Sequence, residues 1–271
     1  MKTYYDRKQK RLIYFGKKPS RQFWDSHWDR VETDVAGIVE TTRTFATLIT
    51  QRYLKPEHGI ILEGGCGRGQ NVAALVNNGY RCIGIDWAEK TVSILNKYAP
   101  ELDIRQGDVR KLSFPDNYFA GYWSVGVIEH FWEGYEPIAR EMARVIKQGG
   151  FLFLSFPYMS PLRKLKAVLG LYESWEGEQA EGGFYQFVIE KNGVAAYFGK
   201  FGFSLVRTYP HSSVKGLKDE VSLLKPWLQH LYDYSGNNRM INFLKSYLSI
   251  ALAPVTSHCI LLVLRNANSN G

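Results

Sequence analysis

Cysteine is scarce: the 271 residues hold three, Cys66, Cys82 and Cys259. That excludes a disulfide-framed scaffold; the three read as small buried fillers in a reducing compartment, so the expected location is cytoplasmic. Long hydrophobic runs are missing as well. Residues 1–18 carry charge but no sustained apolar stretch, so neither a leader peptide nor a spanning helix is expected. Segment 241–264 is apolar on average but is interrupted by Lys245, Pro254 and His258, which argues against a membrane span there. No Gly-Lys-Ser or Gly-Lys-Thr follows the glycine-rich turn of the chain, so a nucleoside-triphosphate loop is excluded.

What is present is enough for one large core, with 45% hydrophobic residues. Strand and helix patterns alternate, which predicts one doubly wound α/β domain with additions. The net charge of +8 is unevenly placed, because residues 1–21 contain eight basic side chains against Asp6 alone, a net +7. The remainder is close to neutral, so the body is not expected to bind nucleic acid by charge. The 1–21 arm reads either as a solvated, partly mobile tail, the preferred reading, or as a contact for an acidic substrate, RNA or a membrane face.

The most informative stretch is 60–69. An apolar strand ends in Glu63 and breaks into Gly65, Cys66, Gly67, Arg68 and Gly69, followed by a helix-like run over 70–76. Alternating glycines permit positive φ and close approach of backbone amides to a ligand. A dinucleotide loop would place a third glycine where Gln70 stands, so that reading is disfavoured. A second strand over 80–85 ends in Asp86, whose two carboxylate oxygens suit the paired hydroxyls of a ribose. Trp87 follows it, placed to lie against an adenine face or simply to pack. A third strand over 103–106 leads into Gly107, Asp108 and Val109; a fourth over 120–125 runs through Ser124 into Gly126, Ile128, Glu129 and His130. A helix over 135–147 closes on Gly149 and Gly150 before a fifth strand over 151–156.

In this order the motifs resemble those of the class I S-adenosylmethionine-dependent methyltransferases, and more narrowly the small-molecule branch that includes ubiquinone and menaquinone methyltransferases. The resemblance runs through 58–157 and resumes at 201–206. It implies a Rossmann-like seven-stranded sheet of order 3-2-1-4-5-7-6 with the last strand antiparallel. It also implies S-adenosyl-L-methionine as cofactor. Glu63 and the Gly65, Cys66, Gly67 and Gly69 loop would hold its methionine part. Asp86 with Trp87 would take the ribose and adenine face, Asp108 with Val109 the adenine edge, and Ser124 the wall where the methyl is presented. Arg68 reads either as a partner of the cofactor carboxylate or, more often for such residues, as solvated.

Few catalytic groups are needed, because a sulfonium methyl is already activated and the protein mainly aligns the acceptor. His130 is the candidate general base, the alternative being that Glu129 and His130 only start the next helix. Some quinone O-methyltransferases of this type carry a metal-binding acid three residues before the Glu-His pair. Here Gly126 stands there, so no required metal is expected. No Asn-Pro-Pro-Tyr or Asp-Pro-Pro-Tyr follows the fourth strand either, which counts against nucleobase N-methylation.

The expected organisation is a single domain: a 1–21 arm, a 22–57 helical cap, a 58–157 cofactor core, a 158–200 insertion with a helix, and 201–271 with the last two strands around a 211–256 helical insertion. Trp24 and Trp28 lie one turn apart and either flap over the cofactor or dock their helix, docking being preferred; His27 reads as a surface or capping residue. In the 158–200 insertion a basic run over 162–169 precedes acids at 173, 176, 178 and 181, then a short strand at 184–187. Helix-like segments over 217–232 and 239–252 suggest a lid, an oligomer contact or an apolar pocket, and leave room for a lipid-like or anionic acceptor near a membrane surface. The expected activity is methyl transfer to an O, N or C atom of a small, apolar or anionic molecule. The alternatives are an RNA methyltransferase using the basic arm and a catalytically silent cofactor-binding subunit.

Overall fold

A computed structural model describes residues 1–28, 31–177, 183–234 and 236–267. In chain order, β1 (Lys2–Asp6) and β2 (Arg11–Phe15) precede three helices, α1 (Arg21–His27), α2 (Val31–Val39) and α3 (Phe45–Thr50). The central run is β3 (Ile61–Gly64), α4 (Gln70–Asn77), β4 (Cys82–Asp86), α5 (Glu89–Tyr98), β5 (Asp103–Gln106), β6 (Phe119–Val125), α6 (Glu136–Val145) and β7 (Ile146–Pro157). Then come α7 (Pro161–Val168), β8 (Glu173–Ser174), β9 (Phe184–Val188), α8 (Lys191–Gly199) and β10 (Phe203–His211). The last elements are α9 (Ser213–Glu220), α10 (Lys225–Asp233), α11 (Arg239–Thr256) and β11 (Cys259–Asn266).

Seven strands form one sheet of order β10-β11-β7-β6-β3-β4-β5. β11 is antiparallel to both its neighbours, and the five strands β3 to β7 run parallel, as the resemblance implied. Both faces are covered, so each central strand alternates between two cores. Phe153, Leu261 and Val263 face the core shared with α3, α4 and α5, while Leu152, Leu154, Ile260, Leu262 and Leu264 face the one with α6 and α8. α6 shows the matching helical period, burying Ile138, Ala139, Met142 and Val145.

A second, four-stranded sheet of order β8-β1-β2-β9 was not expected. The basic arm is a β-hairpin, not a solvated tail. Its apolar residues alternate: Leu12 packs with Met159 and Val188 on one side, Ile13 with Phe15 and Phe187 on the other. Leu12 and Ile13 are fully buried. The charged side chains Arg7, Lys8 and Lys10 of the turn are exposed, as are Lys2, Lys17 and Lys18 at the hairpin's open end, where water can reach them.

Other boundaries moved for local reasons. The 22–53 tract is three short helices; α1 is capped by Ser20, whose hydroxyl accepts from the Phe23 amide, and α3 by a reciprocal Thr44–Thr47 box. The 135–147 helix stops at Val145, because Ile146 is already extended and starts β7. The 217–232 segment is broken between α9 and α10, with Pro226 in the first turn of α10, where its missing N–H costs nothing. Glu178 and Glu181 of the acidic run lie outside the described residues.

Candidate active site

The parallel strands deliver their carboxyl ends to one rim, and the glycine loop begins there. The amides of Gly65 and Cys66 both donate to the Ile85 carbonyl, at 2.8 and 3.0 Å, which ties the loop to β4. Gly65 and Gly67 have φ of +77° and +50°, and side chains there would collide with their lids. A Cβ on Gly65 would come within 2.5 Å of Val127, and one on Gly67 within 2.8 Å of the Trp28 ring. Gly69, also left-handed, is the N-cap of α4. Cys66 contributes backbone; its thiol is buried beside β4, and burial pushes it well up, away from reactivity.

Asp86 braces the loop. Its Oδ2 accepts from the Gly67 amide at 2.7 Å and its Oδ1 from the Ala88 amide at 2.8 Å. Burial raises its pKa, against the pull of those amides. Glu63 is buried beneath, with Oε1 accepting from Asn71 at 2.7 Å and Oε2 without a partner among the described residues. Desolvation, with Asp86 adding to it, pushes Glu63 up to about 8. Ser124 is buried with its hydroxyl also unpartnered. Asp108 is held by Arg110 in a two-pronged pair at 2.9 and 2.6 Å. Burial opposes its charge, yet the guanidinium outweighs it and the net shift is downward. Val109 is buried next to it, and Trp87 stands half-exposed on the rim, with the Arg110 guanidinium 6.0 Å from its ring centre. Arg68 is partly exposed and pairs with Asp34 of α2.

His130 closes a short 3-10 turn, Ile128–His130, after β6. Its Nδ1 lies 2.8 Å from the Tyr185 carbonyl, and a carbonyl only accepts, so Nδ1 carries the proton and Nε2 the lone pair. Desolvation lowers its pKa to about 4, which keeps the ring neutral at ordinary pH. Glu129 beside it is buried, with Oε2 unpartnered, and burial pushes it up to about 8.

Trp24 stands edge-on to His130 at 5.0 Å and stacks on Trp28, which covers Gly67. The two tryptophans therefore cover the glycine loop as well as dock α1, while His27 is exposed at the last turn of that helix. One cavity of about 1110 Å³ unites these groups: Gly65, Asp86, Trp87, Asp108, Val109 and His130 line it. Phe15, Trp132, Trp175 and Phe184 line its other side, three of them from the second sheet or its flanks. Glu63 and Ser124 are not on its wall. Sequence reasoning missed Asn71, Arg110, Tyr185 and this aromatic wall; the density of aromatics around 175 and 184 was the available signal.

Residues 62–154 match the family described as a methyltransferase domain. Over 97 residues the chain is 34% identical to a probable S-adenosylmethionine-dependent methyltransferase of Mycolicibacterium smegmatis. That match spans 36% of this chain and 37% of the relative. The likeness in fold extends beyond this segment. The 1,6-didemethyltoxoflavin-N1-methyltransferase of Burkholderia thailandensis, solved with S-adenosylhomocysteine, aligns over 99% of this chain and all of its own, with a TM-score of 0.55 at 13% identity. The [4+2]-cyclase SpnF aligns over 95% and 99%, with a TM-score of 0.55 at 15% identity. The family match and the curated relative support the methyltransferase resemblance, and the two structures bear out its fold.

Proposed function

We propose that the chain transfers the methyl group of S-adenosylmethionine to a small acceptor bound against the aromatic wall. The observation that carries this is the continuity of the cavity, since the glycine loop and Asp86 open into the same space as Trp132, Trp175 and Phe184. At about 1110 Å³ it exceeds the roughly 300–1,000 Å³ typical of a site for one drug-sized ligand, which leaves room for a donor and an acceptor together.

The residues present fit the cofactor. The cradle made of Gly65 and Gly67 admits no side chain, and Glu63 Oε2 and the Ser124 hydroxyl, buried behind the cavity wall, have no partner among the described residues. Asp86 retains carboxylate lone pairs beyond its two amide bonds to take ribose hydroxyls. Asp108, Val109 and Trp87 would hold the adenine, and the glycine loop, through Gly65 on the cavity wall, the methionine part. When bound, S-adenosylmethionine supplies an activated methyl on a sulfonium. The chain's own part is to align the acceptor along the aromatic wall, to exclude water with Trp24 and Trp28, and to receive a proton at His130 Nε2 where the acceptor must lose one.

A labelled-methyl assay on a cell extract, split into small-molecule and RNA fractions, tests this. Label is expected in the small-molecule fraction. Label confined to RNA overturns the acceptor class, and no label despite cofactor binding in calorimetry overturns the activity.

A further inference from the structure

Several strongly exposed apolar side chains lie off the cavity wall, on the helices that follow β7 and β10. α11 has two contrasting faces. Ile241, Lys245, Leu248, Leu252 and Thr256 are the half-buried or buried side, whereas Met240, Phe243, Tyr247 and Ile250 recur every three or four residues on the other, and Phe243 and Ile250 are 71% and 76% exposed. α7 and α10 pack against α11, and they too leave large apolar side chains in solvent: Val168 is 84% exposed and Trp227 79%. Soluble monomers rarely leave so much contiguous apolar surface without a use for it.

Charge selects the occupant. Setting aside the buried Arg163, Lys218 and Glu220, α7, α9, α10 and α11 hold six basic side chains against two acidic ones, a net +4. The hairpin β1–β2, in the segment of net +7, packs on α7 through Tyr5, Leu12, Tyr14, Ala167 and Tyr172. Its exposed turn residues Arg7, Lys8 and Lys10 therefore belong to the same side of the molecule as the Val168 helix. Two copies meeting through these helices would oppose like charges. A nucleic acid would meet the positive charge but leave the aliphatic side chains in water. Phe, Trp and Ile side chains set among Lys and Arg suit the boundary between anionic headgroups and acyl chains. Among the described residues no helix is long and apolar enough to cross a bilayer, so this surface can only lie on one.

We propose that α7, α10 and α11, flanked by the basic hairpin, dock the protein on an anionic lipid surface, with Trp227, Phe243 and Ile250 entering the headgroup boundary. The docking does not depend on the methyl-transfer reading. The chain is to be sedimented with vesicles of phosphatidylcholine containing phosphatidylglycerol and with phosphatidylcholine alone, at low and at raised salt. Binding is expected to the anionic vesicles, with affinity at least about tenfold lower on the neutral ones and lower again as salt rises. Phe243→Ser with Ile250→Ser should lower it by about tenfold or more, at an unchanged melting temperature because both side chains are in solvent. Lys225→Glu with Arg239→Glu should lower it while leaving cofactor binding intact in calorimetry. No sedimentation at low salt, or equal sedimentation of the Phe243/Ile250 variant, overturns the proposal. So does a dimer in velocity sedimentation that the same pair of substitutions dissolves.

Discussion

The Gly67 amide donates to Asp86 Oδ2 at 2.7 Å, so the acid at the end of β4, the proposed ribose ligand, also braces the glycine loop. One side chain has two tasks, and they separate by substitution. Asp86→Ala should weaken S-adenosylmethionine binding by roughly 1–3 kcal/mol through lost hydrogen bonds, and should also lower stability by freeing the loop. Asp86→Asn keeps one acceptor oxygen and should lose less of each. Calorimetry with the cofactor and thermal melts measure the two; undiminished binding in Asp86→Ala would refute the ribose assignment.

Gly67→Ala probes the tryptophan lid from below. With φ at +50° and the Trp28 ring 2.8 Å from the new Cβ, either the loop or Trp28 must move. Overpacking of this kind costs about 1–3 kcal/mol, so the variant should melt earlier and bind cofactor more weakly. Normal binding would show that Trp28 yields freely and is no lid.

His130 should act as a neutral base across the working range. Its pKa is held near 4 by burial, so the unprotonated ring is present at every pH above that, and kcat/KM should show no step near 6.5. Replacement by Gln should reduce kcat by about 10²-fold or more if the acceptor surrenders a proton in the step. A break at 6.5 that disappears in the variant would mean a solvent-accessible imidazole.

Glu129 imposes a pH dependence of the opposite kind. Its folded pKa, raised from 4.5 to about 8, lets the folded chain hold a proton that the unfolded chain has lost. Between those values the folded state binds more protons, so stability falls as pH rises through the window. Glu129→Gln removes that loss, and its melting temperature should gain on the parent from pH 5 to pH 8, by about 2–4 °C per kcal/mol for a chain of this size. A constant difference across that range would place Glu129 in contact with solvent.

Arg163 is fully buried, giving hydrogen bonds to Glu220 at 2.7 Å and to the carbonyls of Tyr158 and His258, both at 2.9 Å. It ties α7 to α9 and to the start of β11. Arg163→Ala leaves Glu220 buried without its main partner and should cost about 3–5 kcal/mol, read from urea unfolding. A loss near zero would mean that Lys166 and Tyr172, both at Glu220 Oε2, suffice.

The sheet order came only through the family resemblance, whereas the strand-end acids and the glycine spacing were legible in the chain because they are local. Each depends on an apolar run of fixed length, a carboxylate at its tip and a residue able to take positive φ. The narrower likeness to quinone methyltransferases rests on those motifs alone. Other features required the fold. Charge hid the hairpin: a segment with eight basic residues reads as solvated, and only pairing with β8 and β9 shows that Leu12 and Ile13 are core. The partners of His130 and Asp86 come from 55 and 19 residues away in sequence, a separation that no periodicity encodes. The amino-acid sequence by itself determined where a cofactor-shaped turn would form. The tertiary structure decided what faces it, because the aromatic wall is assembled from Phe15, Trp132, Trp175 and Phe184, residues brought together only by packing two sheets against one cavity.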